Sequence, residues 1–218
     1  MHLSGSRAVI LGIIALTFAV ALLAYPSMPD PMATHWGLSG KADGYMPRTW
    51  GLFLVPLISA GLALLLLAIP RIDPLRENIE KFRDTYEHFI AVLLLFLLYV
   101  SLLVIAWNLG VRFNIAQVLS PAFGVLLYAC GILVGKAKRN WFIGIRTPWT
   151  LSSDRVWDRT HAVGGWLFKI AGILALLGAL TPAIVWLLVL GPVFLISISL
   201  VVYSYLEYRK ERAGGTKA

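Results

Sequence analysis

The chain has 218 residues, of which 59% are hydrophobic and 14% charged, with a formal net charge of +8. A soluble domain of this size carries about 45–50% apolar and about 25% charged residues, so a water-soluble fold is excluded. The positive balance does not indicate nucleic acid, because the Lys and Arg residues fall between long apolar runs, as they do in membrane loops.

The first apolar run starts behind Arg7 and reaches Tyr25-Pro26 with no small-residue cleavage site. It is predicted to be a retained span rather than a signal peptide. Between this span and the next, at about residues 50–69, lies Pro29-Asp30-Pro31-Met32-Ala33-Thr34-His35-Trp36 followed by Gly37, Gly40 and Asp43-Gly44-Tyr45. Prolines at the start and spaced glycines predict a compact, turn-rich loop rather than a helix. His35 and Asp43 are metal-ligand types, but two ligands without a third make no site. Anchoring of the loop at headgroup level by His35 and Trp36 is the expected role.

After the second span, Asp73-Pro74 reads as a helix cap with proline in the first turn. Leu75, Ile79, Phe82, Tyr86 and Phe89 then recur at intervals of four and three, an amphipathic stripe. Glu77 and Lys81 form an i,i+4 pair on the polar side. The expectation is a helix lying on the bilayer or the bundle before the third span, at about residues 89–107. The fourth span covers about 118–135 and contains Cys130, the one cysteine, so no intrachain disulfide and no thiolate metal site can form. Pro56 and Pro121 are candidate kinks. No cofactor is implied.

Residues 140–166 are polar and patterned, with four of the eight tryptophans (Trp141, Trp149, Trp157, Trp166) set among Arg139, Arg146, Arg155 and Arg159. Asn140 to Pro148 is predicted to be extended, with Gly144 allowing close backbone approach. Ser152-Ser153-Asp154 then predicts a helix start, which places Asp154, Trp157 and His161 on one stripe. Gly164-Gly165 is expected to end this helix before the fifth span. The last apolar run, Trp166–Leu206, holds 41 residues, about twice the ~20 needed to cross once. A turn at Thr181-Pro182 is predicted, because one at Gly191-Pro192 leaves the final span too short.

Six spans put both termini on one side. That side collects fifteen Lys and Arg: Arg7; Arg71, Arg76, Lys81 and Arg83; Lys136, Lys138, Arg139, Arg146, Arg155 and Arg159; Arg209, Lys210, Arg212 and Lys217. The other has three, Lys41, Arg48 and Arg112, while Lys169 snorkels from the fifth span. The positive-inside bias therefore predicts an all-α, polytopic membrane bundle of six transmembrane helices with both termini cytoplasmic. Apart from Lys169, no ionisable residue falls inside a predicted span, which is unlike an ion-coupled carrier.

The predicted organisation is a two-span unit with the outer loop and amphipathic helix (1–88), a third span with its outer loop (89–117), a second unit holding the Arg/Trp loop 136–165 (118–206), and a short basic tail (207–218). Two readings of the Arg/Trp loop stand side by side. One is a recognition surface for an anionic lipid, a peptide carboxylate or a partner's acidic patch. The other is an interfacial aromatic belt with ordinary loop arginines.

Asn140-Trp141-Phe142-Ile143-Gly144-Ile145-Arg146-Thr147-Pro148-Trp149-Thr150-Leu151-Ser152, with Val156-Trp157, Thr160-His161 and Gly164-Gly165, resembles the signature of the SdpI family. The outer Pro-x-x-x-Thr-His-Trp box with Gly40 and Asp43-Gly44 resembles the uncharacterised domain that commonly precedes it, and Ile72-Asp73-Pro74 through Phe82 resembles the segment after that family's second span. Ala162 departs from the basic residue expected after the histidine, which argues against anion binding at that corner. The resemblance implies an integral membrane immunity protein that protects a producer cell from a secreted antimicrobial peptide. In the family's best-known form it also acts as a receptor, holding a soluble transcriptional repressor at the membrane.

On that reading the partners are membrane lipid, a peptide toxin on the outer face and a repressor on the cytoplasmic face, with no direct nucleic-acid binding. Candidate ligand- or partner-binding residues are Asn140, Gly144, Arg146, Thr147, Trp149, Trp157 and His161 within, and His35, Trp36 and Asp43 outside. A small transporter or channel built as an inverted repeat is the alternative. A membrane enzyme using Arg146, Asp154, Asp158 and His161 is disfavoured, because no serine or cysteine nucleophile motif accompanies them. The chain is expected not to be an enzyme.

Overall fold

The structure is a computed structural model and describes residues 5–37 and 40–215. Leu38 and Ser39 of the outer loop, and Lys217 of the tail, lie outside the described residues. Six helices are long and apolar enough to cross a membrane: α1 (Gly5–Ala24), α2 (Arg48–Ile72), α4 (Arg83–Asn108), α5 (Ile115–Lys136), α7 (Asp154–Leu177) and α8 (Val185–Gly215). Short helices α3 (Arg76–Glu80) and α6 (Pro148–Ser152) lie between them. The predicted all-α polytopic bundle is thus observed. Among the described residues, the strands form a single hairpin of β1 (Met32–Trp36) and β2 (Ala42–Met46).

The chain reverses between α7 and α8 through 3-10 turns at Gly178–Leu180 and Pro182–Ile184, as the length of the last apolar run required. Gly191-Pro192 lies inside α8, and α2 and α5 likewise run through Pro56 and Pro121 unbroken. Arg7 meets Glu87, Asp73 meets Trp141, and Arg159 meets Glu207, so the start of α1, the last turns of α8 and the Arg/Trp loop share one face. The hairpin and the α7–α8 turn share the opposite face.

Two halves are visible. In the first, α1 and α2 pack on α4 around Ile10, Ile13, Ala63, Ile90, Leu94 and Leu98. In the second, α7 lies between α5 and α8. The α5–α7 seam is close because it is lined by glycine: a Cβ on Gly165 would stand 2.9 Å from Gly135 Cα, and one on Gly172 would stand 2.7 Å from the Gly124 carbonyl oxygen. Lipid offers no hydrophobic drive between helices, so small residues that let backbones touch supply the packing. This corrects the sequence expectation for Gly164-Gly165: α7 runs straight through both, and they form its contact face rather than its end.

The segment after α2 also differs in detail. The amphipathic stripe is present and faces the bundle, with Ile79, Phe82 and Tyr86 buried. It is divided between the single turn of α3 and the start of α4, which begins at Arg83 rather than near Phe89. Asp73 does not cap the start of the next helix: it is the C-cap residue of α2, α3 is preceded by Leu75, and Asp73 Oδ1 accepts the Leu75 N–H at 2.6 Å. Lys81 donates to Asn78 rather than to Glu77.

The outer box forms a hairpin because Gly44 sits opposite His35, where any Cβ would stand 2.8 Å from the His35 Cβ. Asn108, the last residue of α4, ties β1 down: its Oδ1 accepts the Ala33 N–H and its Nδ2 donates to the Ala33 carbonyl, both at 2.9 Å. Asn108→Ala is expected to release both backbone groups at a cost of about 1–3 kcal/mol. Proteolysis of the hairpin in sealed vesicles should rise several-fold while helix content by circular dichroism stays constant; unchanged proteolysis would show that the tether is dispensable.

Candidate functional site

The Arg/Trp loop folds around Asn140, which is fully buried. Its Oδ1 accepts the N–H groups of Phe142 and Ile143 at 2.9 and 2.6 Å, and its Nδ2 donates to the carbonyls of Lys138 and Ile143, both at 2.8 Å. One side chain thereby satisfies four backbone groups, and Asn140–Gly144 becomes a tight turn rather than an extended stretch. Gly144 follows at φ 118°, a left-handed value that disfavours other residues, and an added Cβ would run into His161 Nε2.

His161 continues the lock. Its Nε2 accepts the Ile145 N–H at 3.0 Å while its Nδ1 faces the Trp157 carbonyl at 2.8 Å. One nitrogen accepting and the other donating defines a neutral ring with the proton on Nδ1. The ring stacks on Trp157, 3.9 Å between centroids and 13° between planes. Trp157 is itself fully buried, and its Nε1 donates to the Ala137 carbonyl at the end of α5. Asp154 does not share this environment: it is exposed and pairs with Arg139 at 2.6 Å.

Thr147 and Thr150 form a reciprocal capping box that starts α6, and the Thr147 hydroxyl meets Ser204 of α8 at 3.0 Å. Trp149 packs at a tilt on Tyr205, 5.1 Å between centroids. Ser153 caps α7 by accepting the Val156 N–H. Of the seven inner candidates, then, Asn140, Thr147, Trp157 and His161 are buried and spend their polar atoms internally. Gly144 is the hinge between them and Trp149 is half-covered. Arg146 is exposed, its Nη1 donating to the Trp141 carbonyl at 2.6 Å. Beside it stand the exposed rings of Trp141 and Phe142.

Several residues of this face carry roles that sequence reasoning did not assign. Asp73 is buried, and its Oδ2 accepts the Trp141 N–H at 2.9 Å, while Asn78 Nδ2 donates to the Arg139 carbonyl at 2.8 Å. These two bonds latch the segment after α2 onto the Arg/Trp loop. Glu87 is buried between Arg7 and Arg83, and Glu207 between Arg159 and Lys210. The spacings Arg83–Glu87 and Glu207–Lys210, one helical turn, were the signal available for these acids. Both lie inside the helices, which extend beyond the apolar runs, so Lys169 is not the one ionisable residue within them.

The outer candidates do not join the inner ones. His35 Nδ1 and Asp43 Oδ1 lie 2.6 Å apart on the exposed side of the hairpin. Trp36 turns the other way and meets Trp107 edge-on at 5.5 Å. Among the described residues no group of three or more His, Cys, Asp or Glu could hold a metal ion.

Residues 136–204 match the SdpI/YfhL protein family, and residues 12–60 match a domain of unknown function, DUF1648. Over 199 residues the chain is 25% identical to the immunity protein SdpI of Bacillus subtilis (strain 168), an alignment spanning 91% of this chain and 93% of that relative. No solved structure matches. Both resemblances carried by the two boxes are therefore borne out: the chain is a multi-pass membrane protein in which a segment matching the SdpI/YfhL family follows one matching DUF1648.

Proposed function

We propose that this SdpI-family chain is an immunity protein, which protects the membrane of its producer against a secreted antimicrobial peptide. The observation that carries the reading is the match to an immunity protein along nine-tenths of both chains, with the outer and inner boxes in order. The Lys and Arg bias supports an orientation with the hairpin outside and both termini in the cytoplasm. The hairpin is then the part that meets the peptide. The exposed set Arg146, Trp141 and Phe142 is the part suited to a soluble repressor with an acidic, partly apolar surface.

The test is expression in a host sensitive to the family's peptide toxin. The expected result is growth at toxin concentrations that kill the host carrying an empty vector, by a margin of about tenfold or more. Equal killing of both, with the protein present in the membrane, would overturn the proposal. Membrane recruitment of a fluorescently tagged repressor, present with Arg146 and absent in Arg146→Ala, tests the signalling half separately.

A further inference from the structure

On the face that carries the Arg/Trp loop, two cavities adjoin between α4 and α5. One, of about 260 Å3, lies among Phe89 and Val92 of α4 and Ala129 and Ile132 of α5, with His88 also lining it. The other, of about 620 Å3, lies among Glu80, Lys81, Arg83, Asp84 and Lys138 at the ends of these helices. Thr85 and Lys136 line both. Lys136 is the last residue of α5, and Ala129 lies seven residues, about 10 Å, further into the span. A polar chamber at the membrane surface thus borders a hydrocarbon-lined one, with one hydroxyl and one ammonium at the junction.

Most charges around the polar chamber are already matched. Arg83 pairs with Glu80 and Glu87, and Lys138 pairs with Asp158. Three are not. Among the described residues, the exposed side chains of Lys136 and Asp84 have no ion pair or hydrogen bond, and Lys81 has only the neutral Asn78 oxygen. With His88 counted as uncharged, this remainder sums to one positive charge. Thr85 is unspent as well. Thr17, Ser59 and Ser197 each close the hydroxyl onto the carbonyl four residues back, whereas the half-buried Thr85 hydroxyl has no partner among the described residues.

The geometry points to a binding site for one anionic phospholipid of the leaflet on this face, its phosphodiester at Lys136 and Thr85 and an acyl chain over Val92, Ala129 and Ile132. Basic pockets between helices at a membrane surface take such headgroups. The single positive remainder matches a singly charged phosphodiester. A zwitterionic head leaves that charge uncancelled, and the free Asp84 carboxylate repels a head with several negative charges. A soluble phosphate makes no use of the apolar chamber. The inference is independent of the immunity reading.

The test uses the full chain in phosphatidylcholine nanodiscs containing a small fraction of lipid with a photoreactive diazirine on one acyl chain. The head of the labelled lipid is either phosphatidylglycerol or phosphatidylcholine, with identical chains. Phosphatidylglycerol is expected to label the 89–92 and 129–132 segments more densely than the lipid-facing 195–198 stretch of α8. On those two segments it should also exceed phosphatidylcholine about fivefold, the effect of one ammonium beside an anionic lipid. Lys136 is exposed, so Lys136→Gln should fold and bring that ratio close to one, while Lys136→Arg should keep it. Arg209→Gln removes an exposed cation from the same face on α8 and should leave the ratio unchanged. Equal labelling by the two heads, a ratio that survives Lys136→Gln, or a ratio lost equally in Arg209→Gln would overturn the site. Suppression of the labelling by inorganic phosphate, but not by chloride at the same ionic strength, would overturn the lipid in favour of a soluble anion.

Discussion

Gly165→Leu is expected to produce a chain that inserts into the membrane but fails to assemble. Insertion depends on the apolarity of each span, which the substitution increases. Assembly depends on α5 and α7 touching backbone to backbone. A Cβ on Gly165 already meets Gly135 Cα at 2.9 Å and the Gly131 carbonyl oxygen at 3.0 Å, and one on Gly131 meets the Gly165 carbonyl at 2.6 Å. Neither helix can give way alone, because the second contact, Gly172 against Gly124, holds the same pair two turns further on. Overpacking here should cost about 3 kcal/mol or more.

The damage should reach the Arg/Trp loop, since Trp157 on α7 is bonded to Ala137 at the end of α5. Gel filtration in detergent should show aggregate, and mild proteolysis should cut near the loop. Gly12→Leu on α1, where nothing lies within 4 Å of an added Cβ, is the control and should behave as the unmodified chain. Equal behaviour of the two variants would mean that the glycine seam is not what holds the second half together.

The misreading of Gly164-Gly165 shows where legibility ended. Span number, the forced turn at Pro182 and the shared face of the α1 start and the α8 end came from length and hydropathy, which lipid enforces directly. The meaning of two glycines depends on solvent: in water they weaken a helix, whereas between membrane helices they are the contact. Asp73 is a parallel case. Its local pattern with Pro74 suits a cap, and nothing in the sequence announces that its second oxygen serves Trp141, 68 residues away. The inner box was legible as an unusual order of residues but not as a lock, because sequence does not say which side chains turn inward. Once Asn140, Thr147, Trp157 and His161 are seen to spend their polar atoms inside the protein, Arg146, Trp141 and Phe142 stand among the exposed residues of the loop that are left to meet anything outside it.

That division separates two residues that the sequence analysis placed together as candidate binding residues, Trp157 and Arg146. Trp157→Ala removes a fully buried indole, the stacking partner of His161 and the donor to the Ala137 carbonyl. The expected loss is about 3–5 kcal/mol, so resistance should disappear because the folded loop disappears. Arg146→Ala removes an exposed guanidinium with one bond to the Trp141 carbonyl, and should cost about 0.5 kcal/mol. Thermal unfolding of the purified proteins should therefore show a drop of many degrees for the first and almost none for the second. If the exposed remainder is a recognition surface, Arg146→Ala should still lose recruitment of the repressor about tenfold, and Arg146→Lys should restore only part of it, since an ammonium cannot offer a planar fork. Full recruitment by Arg146→Ala would assign that guanidinium to the loop's own architecture, bracing the Trp141 carbonyl in the same way that Asn140 braces the turn.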